Sequence, residues 1–330
     1  MSSHTQYYCV DKARCLNAKR WENTLRHNTK IAINIAGMAI EHPVMNASGV
    51  LGGFEPEHID LMAKRGVSAF VTKTMTLESR KGFEPPIIVI LENQGALNAV
   101  GLSNPGVKNI DRLVKRAKLY GKPIIVSIGG SNIDEFVKAA LIAEDAGADA
   151  VELNLSCPHT KGFGLEIGAD PFLVYQVVKD TSSVLKKPVI VKLGLSDKVM
   201  ESAGKALEGG AMALTLINTL KAMAIDIYTL RPILSNIYGG LSGPPIHPIA
   251  VRVVYDVFKE HEAEIIGCGG IYSWKSAIEL ILAGAKALQV GTALVMNEGV
   301  IREIIDGITK WLEIMGIDKL EDAVGLAVRR

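Results

Sequence analysis

Cys157 is the residue whose type and position point most directly to catalysis. It lies in the segment ELNLSCPH (residues 152–159), just after an apolar run that predicts a buried strand. A lone thiol is most often a small packing residue, whereas a thiol on a loop at a strand end can be reached by a ligand. We therefore expect Cys157 to be reactive. His159 either orients it or caps the turn.

A second group of candidates consists of polar residues at the carboxyl ends of predicted strands, where apolar residues would pack better. Two of them are lysines, Lys73 in VTK and Lys192 in VKL. A lysine there is costly unless an anion or a polar ring meets its ammonium group. The group indicates a ligand site rather than a merely wet surface. Its other members are hydroxyl and amide side chains: Asn46, Ser48, Thr74, Ser127, Asn154, Asn218 and Thr219.

Three glycine-rich segments predict a phosphate site. They are GGLSG (residues 239–243), GCGGI (267–271) and VGTAL (290–294). Backbone N–H groups of such turns can approach phosphate oxygens closely, particularly after the last two strands of a barrel. Convergence of all three favours a phosphate-bearing cofactor. We expect Cys268, inside the second segment, to be only a small residue, and His247, in a proline-rich loop, to be structural.

The elements that must position these residues are short apolar runs alternating with longer amphipathic runs, the pattern of βα units. Four times a helical run ends at a glycine before the next strand, a repeat that favours a cyclic array. Eight strands then predict an α/β fold, a (β/α)8 TIM barrel in a single domain. The Rossmann-type alternative lacks a G-x-G-x-x-G motif after the first strand. The predicted strands cover residues 43–48, 68–73, 123–128, 150–155, 188–193, 213–218, 264–267 and 287–291.

Two long segments fit no simple βα unit. Residues 76–105 follow the second predicted strand, and residues 220–248 follow the sixth. Loops of this length in a compact domain are usually functional, and both leave the carboxyl ends of strands. We expect the barrel to span residues 40–316, with a polar N-terminal arm and lead-in over 1–39 and a C-terminal tail over 317–330.

Composition excludes several classes of protein. The chain has 36 basic and 35 acidic residues, a net charge of +1, which disfavours a nucleic-acid partner. Its four cysteines include no Cys-x-x-Cys pair, so we expect no metal site and no iron–sulfur cluster. Reduced thiols suit a cytoplasmic protein. No run reaches the roughly 18 apolar residues that span a bilayer, so we expect no membrane partner.

Four segments resemble the signatures of class 1 dihydroorotate dehydrogenases. They are NASG (residues 46–49), VTKTMTLESR (71–80), NAVGLSNPG (98–106) and ELNLSCP (152–158). The segment 217–244 and the closing glycine turns extend the similarity over residues 40–295. The resemblance implies an FMN-containing (β/α)8 barrel, an oxidoreductase that oxidises dihydroorotate to orotate in de novo pyrimidine (UMP) biosynthesis.

The resemblance also implies which residues hold the cofactor. Side chains would contact the flavin ring and ribityl chain, and backbone groups would surround the ribityl phosphate. The implied FMN-binding residues are Ser48, Lys73, Thr74, Ser127, Asn154, Lys192, Ile217, Gly243, Gly269, Gly270, Gly291 and Thr292.

For the substrate, the resemblance implies amide side chains that pair with the donors and acceptors of a cyclic imide. Lys73 and nearby backbone amides suit its carboxylate. Cys157 would take a proton from substrate C5 while C6 passes hydride to flavin N5. The implied substrate-binding residues are Lys73, Asn98, Ala99, Val100, Gly101, Leu102, Asn154, Asn218 and Thr219.

One position departs from the family pattern. His159 stands where asparagine usually follows the proline of the cysteine loop. The SCPH form is similar to dihydropyrimidine dehydrogenases, which reduce uracil or thymine and often carry ferredoxin-like cysteine clusters that this chain lacks. A dihydropyrimidine dehydrogenase subunit is therefore the alternative function. A non-catalytic flavin-binding barrel subunit is a weaker one.

The sequence leaves the electron acceptor open. Ser127 stands where NAD-linked members often have asparagine, and Ala224 where they often have arginine. Fumarate, NAD or another oxidant would each fit. Because the chain has no cluster ligands, NAD would require a separate iron–sulfur and FAD electron-transfer subunit. The resemblance further implies a homodimer.

Overall fold

A short hairpin begins the described part of the chain, which in this computed structural model comprises residues 30–92, 95–156 and 165–329. The hairpin pairs β1 (Ile33–Ile35) antiparallel with β2 (Met38–Ile40), and alternate residues of each strand are buried. The backbone amide of Ala36 donates to the Glu264 carboxylate at 2.7 Å. Since Glu264 directly precedes a barrel strand, the hairpin packs on the amino-terminal end of the barrel.

Eight parallel strands form the central sheet. They are β3 (Val44–Asn46), β4 (Phe70–Val71), β7 (Ile124–Ile128), β8 (Ala150–Leu155), β9 (Val189–Leu193), β10 (Ala213–Leu216), β15 (Ile265–Cys268) and β16 (Ala285–Val290). Their order around the sheet is β3-β16-β15-β10-β9-β8-β7-β4. Each strand overlaps the range predicted for it, and the predicted (β/α)8 TIM barrel is confirmed.

The burial of the strands explains their composition. Every residue of β7, β8 and β9 is buried, because the barrel interior covers one face and the helices cover the other. The strands therefore read as nearly continuous runs of Ile, Val and Leu. Polar residues inside these runs, such as Glu152 in β8 and Lys192 in β9, face desolvation and need specific partners.

A side chain closes the barrel between its first two strands. The backbone amide of Ser68 donates to the carbonyl oxygen of Val44 at 3.0 Å. Further along these two strands, the side-chain amide of the buried Asn46 replaces a backbone group as the hydrogen-bond partner of Val71. Its Nδ2 donates to the Val71 carbonyl at 2.7 Å, and its Oδ1 accepts from the Val71 amide at 3.1 Å. The contact of β3 with β4 thus depends on a side chain.

The helices cover the outside of the sheet. Asn132 caps the helix Ile133–Asp145 through the Glu135 amide, and Asp170 caps the helix Pro171–Val184. Ser273 and Ser276 form a capping box on the helix Trp274–Ala283. The helices are α1 (Pro56–Lys64), α2 (Asp111–Lys118), α3 (Ile133–Asp145), α4 (Leu165–Gly168), α5 (Pro171–Val184), α6 (Val199–Glu208), α7 (His247–His261), α8 (Trp274–Ala283), α9 (Thr292–Met296), α10 (Val300–Met315) and α11 (Leu320–Ala323), with 3-10 turns at Val107–Asn109 and Pro244–Ile246.

The repeated glycine at the helix-to-strand junctions has a backbone reason. All four glycines that the pattern singled out have positive φ: +81° at Gly66, +96° at Gly147, +106° at Gly210 and +125° at Gly284. Side chains disfavour this region, so glycine closes the turn without strain. Each turn returns the chain to the amino-terminal end of the next strand.

The two long segments join in one small sheet. The first contains β5 (Ile88–Ile90) and β6 (Ala96–Asn98), and the second contains β11 (Leu220–Ala222), β12 (Ile225–Asp226), β13 (Arg231–Pro232) and β14 (Gly239–Ser242). Four of these strands pair antiparallel in the order β11-β14-β6-β5. Leu97, Ala99 and Leu234 form its core. We call it the small sheet.

The two ends of the described chain are tied together. The Lys30 amide donates to the Asp318 carbonyl at 2.9 Å, and the Leu320 amide donates to the Lys30 carbonyl at 3.0 Å. The proposed boundaries at residues 39 and 316 stay a prediction. Across the described residues, none of the helices combines the length and the apolar character needed to cross a membrane.

Candidate active site

A cavity of about 300 Å³ lies at the carboxyl ends of the barrel strands, under the small sheet. This volume is typical of small-molecule sites. The predicted site residues that line it come from both the barrel and the two long segments. They are Ser48, Lys73, Thr74, Asn98, Val100, Gly101, Leu102, Asn154, Lys192, Ile217, Asn218, Thr219, Gly243, Gly269, Gly270, Gly291 and Thr292.

Two of the predicted site residues that the structure describes, Ser127 and Ala99, do not line the cavity. Ser127 is fully buried behind Thr74 and does not line the cavity. Ala99 is buried in the core of the small sheet, so only its backbone could serve a ligand. Cys157 lies outside the described residues, as does His159. Ser156, the neighbour of Cys157, is described and buried.

Thr74 is the centre of a hydrogen-bond network on one wall of the cavity. Its Oγ1 lies 3.1 Å from Ser48 Oγ and 3.0 Å from Ser127 Oγ. It also accepts a hydrogen bond from Asn154 Nδ2 at 2.8 Å. These contacts link β3, β4, β7 and β8, so they fix the side chains that the sequence placed at the strand ends.

The network continues through two asparagines. Asn154 Oδ1 accepts from Ser156 Oγ at 2.7 Å, and Ser156 Oγ accepts from Asn218 Nδ2 at 2.8 Å. Asn218 Oδ1 accepts from the Thr219 amide at 2.7 Å. The amide orientations are therefore determined by their partners. Each amide nitrogen carries a second N–H that these bonds do not use, which is available to a planar polar ligand.

The two lysines reach the cavity in different ways. Lys73 packs closely against the loop after β3, because a Cβ atom added at Gly53 would lie 3.0 Å from Lys73. The Lys73 Nζ lies 5.4 Å from the centre of the Phe54 ring. Lys192 is 4% exposed and donates to Gln289 Oε1 at 3.0 Å. The lining contains these two lysines and no acidic residue of the described chain, so the cavity suits an anionic ligand.

Behind Lys192 lies a polar cluster that the sequence analysis missed. Gln289 Nε2 donates to Glu152 Oε2 at 2.7 Å, and Thr215 Oγ1 donates to the same oxygen at 3.0 Å. A signal was present, because Glu152 interrupts the apolar run AVELNL and lies two residues before Asn154, on the same face of β8.

The glycine turns meet at one corner of the cavity, formed by Gly243, Gly269, Gly270, Gly291 and Thr292, which we call the glycine corner. Gly269 and Gly270 have φ of +127° and +64°. A side chain at Gly270 would collide with the Gly243 carbonyl oxygen at 2.8 Å. Thr292 Oγ1 donates to Ser242 Oγ at 2.8 Å, which ties the last turn to the small sheet. Close backbone approach of this kind fits a phosphate group.

Cys268 also lines the cavity, next to Lys192. Burial raises the pKa of its thiol above the ordinary value of 9.0, so the thiol stays protonated at neutral pH. The description of Cys268 as a small packing residue agrees with this environment. Among the described residues there is no group of three or more His, Cys, Asp or Glu side chains that could hold a metal ion.

The fold and the site together define a class: (β/α)8-barrel proteins with a cationic, glycine-lined pocket at the carboxyl ends of the strands. The chain belongs to the dihydroorotate dehydrogenase family, whose model matches residues 30–312. Members of this family are flavin-dependent oxidoreductases. The resemblance found in the sequence motifs is confirmed.

Curated relatives cover nearly the whole chain. A protein of Aeropyrum pernix, provisionally named dihydroorotate dehydrogenase A (fumarate), is 47% identical over 91% of this chain and 98% of its own length. Two relatives are named dihydroorotate dehydrogenase B (NAD(+)), catalytic subunit. That of Thermoplasma volcanium is 45% identical over 91% of this chain and 99% of its own, and that of Pyrococcus furiosus is 47% identical over 90% and 98%.

Proposed function

We propose that the protein oxidises dihydroorotate to orotate with FMN as its bound cofactor, as a step of de novo pyrimidine biosynthesis. The observation that carries the proposal is the single cavity that combines two lysines, an asparagine network and the glycine corner. The names of the relatives favour this substrate over uracil or thymine. When bound, the flavin would accept hydride from substrate C6 at its N5 atom.

The residues at the cavity fit FMN. Lys73, Lys192, Asn154, Thr74 and Ser48 offer donors for the carbonyl groups of an isoalloxazine ring and the hydroxyls of a ribityl chain. The backbone of Ile217 and the glycine corner would surround one phosphate group. Because the three glycine turns meet at one place, they suit a mononucleotide with a single phosphate. Ser127 would not touch the cofactor itself but would hold the Thr74 side chain in place through their hydrogen bond.

For the substrate we propose the residues around the small sheet and the asparagine network. Asn98 Nδ2 donates to the Gly240 carbonyl at 3.2 Å, which leaves its Oδ1 to accept from a ring N–H. Asn154 and Asn218 each keep one N–H for a ring carbonyl. Lys73 would pair with the carboxylate, together with backbone amides of the segment from Asn98 through Ala99, Val100 and Gly101 to Leu102.

Cys157 is proposed as the base that removes the proton from substrate C5. Its neighbour in the sequence, Ser156, is hydrogen-bonded to Asn154 and Asn218, which line the cavity. The base must be a thiolate, because a neutral thiol has no proton-accepting strength at this carbon.

Anaerobic reduction of the bound flavin tests the proposal. The purified protein, loaded with FMN, should lose its yellow colour when mixed with dihydroorotate and keep it with dihydrouracil. Bleaching by dihydrouracil alone would favour the dihydropyrimidine dehydrogenase function instead. A colourless protein that retains no flavin after loading would contradict the cofactor assignment.

Replacement of the proposed base gives the first prediction. Cys157→Ala should slow flavin reduction by dihydroorotate at least about 100-fold, since general base catalysis contributes on this scale. Stopped-flow absorbance at the flavin band measures the rate. Cys15→Ala, which removes a thiol of the N-terminal arm, is the matched control and should reduce at the wild-type rate. Equal rates for both variants would exclude Cys157 as the base.

We further propose that the chain acts as the catalytic subunit of a larger cytoplasmic assembly, built on a homodimer. Several relatives are named as catalytic subunits of NAD-linked enzymes. An iron–sulfur and FAD subunit would then pass electrons to NAD. Steady-state assays with fumarate and with NAD, on the chain alone and on material copurified from its source, distinguish the acceptors. Turnover with fumarate by the chain alone would contradict the need for a second subunit.

A further inference from the structure

Four buried polar residues form a cluster in the barrel interior, at and below the floor of the cavity. Glu152, Lys192, Thr215 and Gln289 come from four different strands, β8, β9, β10 and β16. Their exposed fractions are 0%, 4%, 0% and 1%. Such a position is expensive for any polar group and most of all for charged ones. Apolar residues of similar size would fill a barrel interior at lower cost.

The amide of Gln289 connects the two charged members. Lys192 Nζ donates to Gln289 Oε1 at 3.0 Å, and Gln289 Nε2 donates to Glu152 Oε2 at 2.7 Å. The oxygen end of the amide thus faces the cation and the nitrogen end faces the anion. This orientation matches an ammonium group at one end and a carboxylate at the other. We call the chain Glu152–Gln289–Lys192 the relay.

The carboxylate is not fully satisfied by its neighbours. Oε2 accepts from Gln289 and Thr215, whereas Oε1 is buried and has no hydrogen-bond partner among the described residues. Packing alone does not account for an anion kept in this state, because the cost of an unpaired buried oxygen is substantial. A role that depends on its charge does account for it.

Lys192 forms the end of the relay that lies at the cavity, and Glu152 forms the end that lies away from it. Lys192 and Gln289 line the cavity, whereas Glu152 does not. The Cys268 thiol, whose pKa is raised by burial, also lies near Lys192 and Glu152. Any effect of Glu152 on a bound molecule is therefore transmitted through Gln289 and Lys192, or through its electric field.

We propose that Glu152 is a positioning residue for the flavin: through Gln289 it holds the Lys192 ammonium group against the cavity, and its charge lowers the reduction potential of the bound flavin. The inference rests on the proposed function. A cation near a flavin favours the reduced, more negative form, and an anion behind that cation opposes it. Lys192 and Glu152 together therefore give a reduction potential between the value expected with the cation alone and the value expected with the anion alone.

Two variants test the two parts of the relay. Glu152→Gln removes the charge at nearly constant volume and should raise the potential, increasing the equilibrium constant for two-electron reduction about tenfold, which corresponds to about 30 mV. Gln289→Met keeps the carboxylate but releases Lys192, and it should lower the potential. Spectroelectrochemical titration of the FMN-loaded protein measures both. Damage to the fold would not shift the two variants in opposite directions.

Thr215→Val is the matched control. It removes one uncharged donor from the same carboxylate and leaves Glu152, Gln289 and Lys192 in place, so the equilibrium constant for flavin reduction should stay within threefold of the wild-type value. An unchanged potential in Glu152→Gln would overturn the proposal. Should that variant fail to fold, an unchanged or raised potential in Gln289→Met would overturn it equally. Wild-type protein that binds no FMN would instead contradict the proposed function.

Discussion

His247 connects the glycine corner to the helix behind it. Its Nδ1 lies 3.1 Å from the Gly269 carbonyl oxygen, and its Nε2 lies 2.8 Å from the Glu279 carboxylate. Both ring nitrogens thus lie within hydrogen-bond distance of an oxygen atom. A structural role is the one predicted for His247 from its proline-rich surroundings in the sequence. The contacts are consistent with that role and locate it at the turn that we propose for the phosphate.

Loss of this contact should weaken cofactor binding. His247→Ala frees the Gly269 carbonyl and removes the side chain packed behind Gly270, so we expect about tenfold weaker FMN binding. Quenching of FMN fluorescence during titration with the apoprotein measures the dissociation constant. His261→Ala, at the other end of the same helix, is the control and should bind FMN like the wild type. Equal affinities of the two variants would show that His247 does not support the corner.

His42 should make the stability depend on pH. Burial lowers its pKa from 6.5 to about 4, and its neutral Nδ1 accepts from the Val44 amide at 3.3 Å. At pH values between about 4 and 6.5, His42 therefore binds a proton more strongly in the unfolded chain than in the folded one. Stability is therefore complete above pH 6.5 and falls as the pH drops towards 4, by up to about 3 kcal/mol for this residue.

Urea denaturation near about pH 4.5 and about pH 7.5 measures this loss. Burial also lowers the pKa of His58, which acts in the same direction. The comparison must therefore use His42→Asn, which keeps an acceptor for the Val44 amide but does not titrate. We expect a shallower pH dependence in this variant. Identical slopes in both proteins would assign the effect to other groups.

At the scale of elements, the seam between β3 and β4 is the place where the barrel depends on a side chain. The sequence grouped Asn46 with the polar residues of the ligand site because it ends a strand. Its amide instead makes both bonds with the Val71 backbone, and it is fully buried. Local pattern cannot separate these roles, because both need a polar residue at a strand end.

Asn46→Ala should open this seam. It leaves the buried amide and carbonyl of Val71 without partners, a cost of about 2–4 kcal/mol. Ser68→Ala is the matched control at the same seam, since Ser68 Oγ makes a single bond, to the Val44 carbonyl at 2.9 Å. Its loss should cost about 1 kcal/mol. Urea denaturation gives both values, and equal small losses would contradict a special role for Asn46.

At the scale of the whole molecule, the repeated βα elements were predictable from the sequence. The pairing of strands that lie far apart in the chain was not. The eight strands and the junction glycines, such as Gly147 and Gly284, follow from local periodicity and backbone conformation. The small sheet does not, because β6 and β14 are only 3 and 4 residues long and lie far apart in the chain. Their pairing is decided by tertiary contacts.

The buried cluster below the cavity was missed for a related reason. Glu152 and Gln289 each look like a single polar residue in an apolar strand, and only closure of the barrel brings them within 2.7 Å. The cavity residues were easier to find, because the carboxyl ends of parallel strands must all lie on one side. The position of each polar residue along its strand was therefore predictable from the sequence, whereas the residue that it contacts across the barrel was not.

The small sheet joins two arms of the chain directly above the cavity, and Asn98 is bonded across it to Gly240. A one-residue slip in either segment would turn the side chains of that segment to the opposite face of the small sheet and change which residues pair with the other segment. The shape of this wall therefore depends on both segments at once. Engineering of ligand preference here calls for exchanging the two segments together, as one cassette.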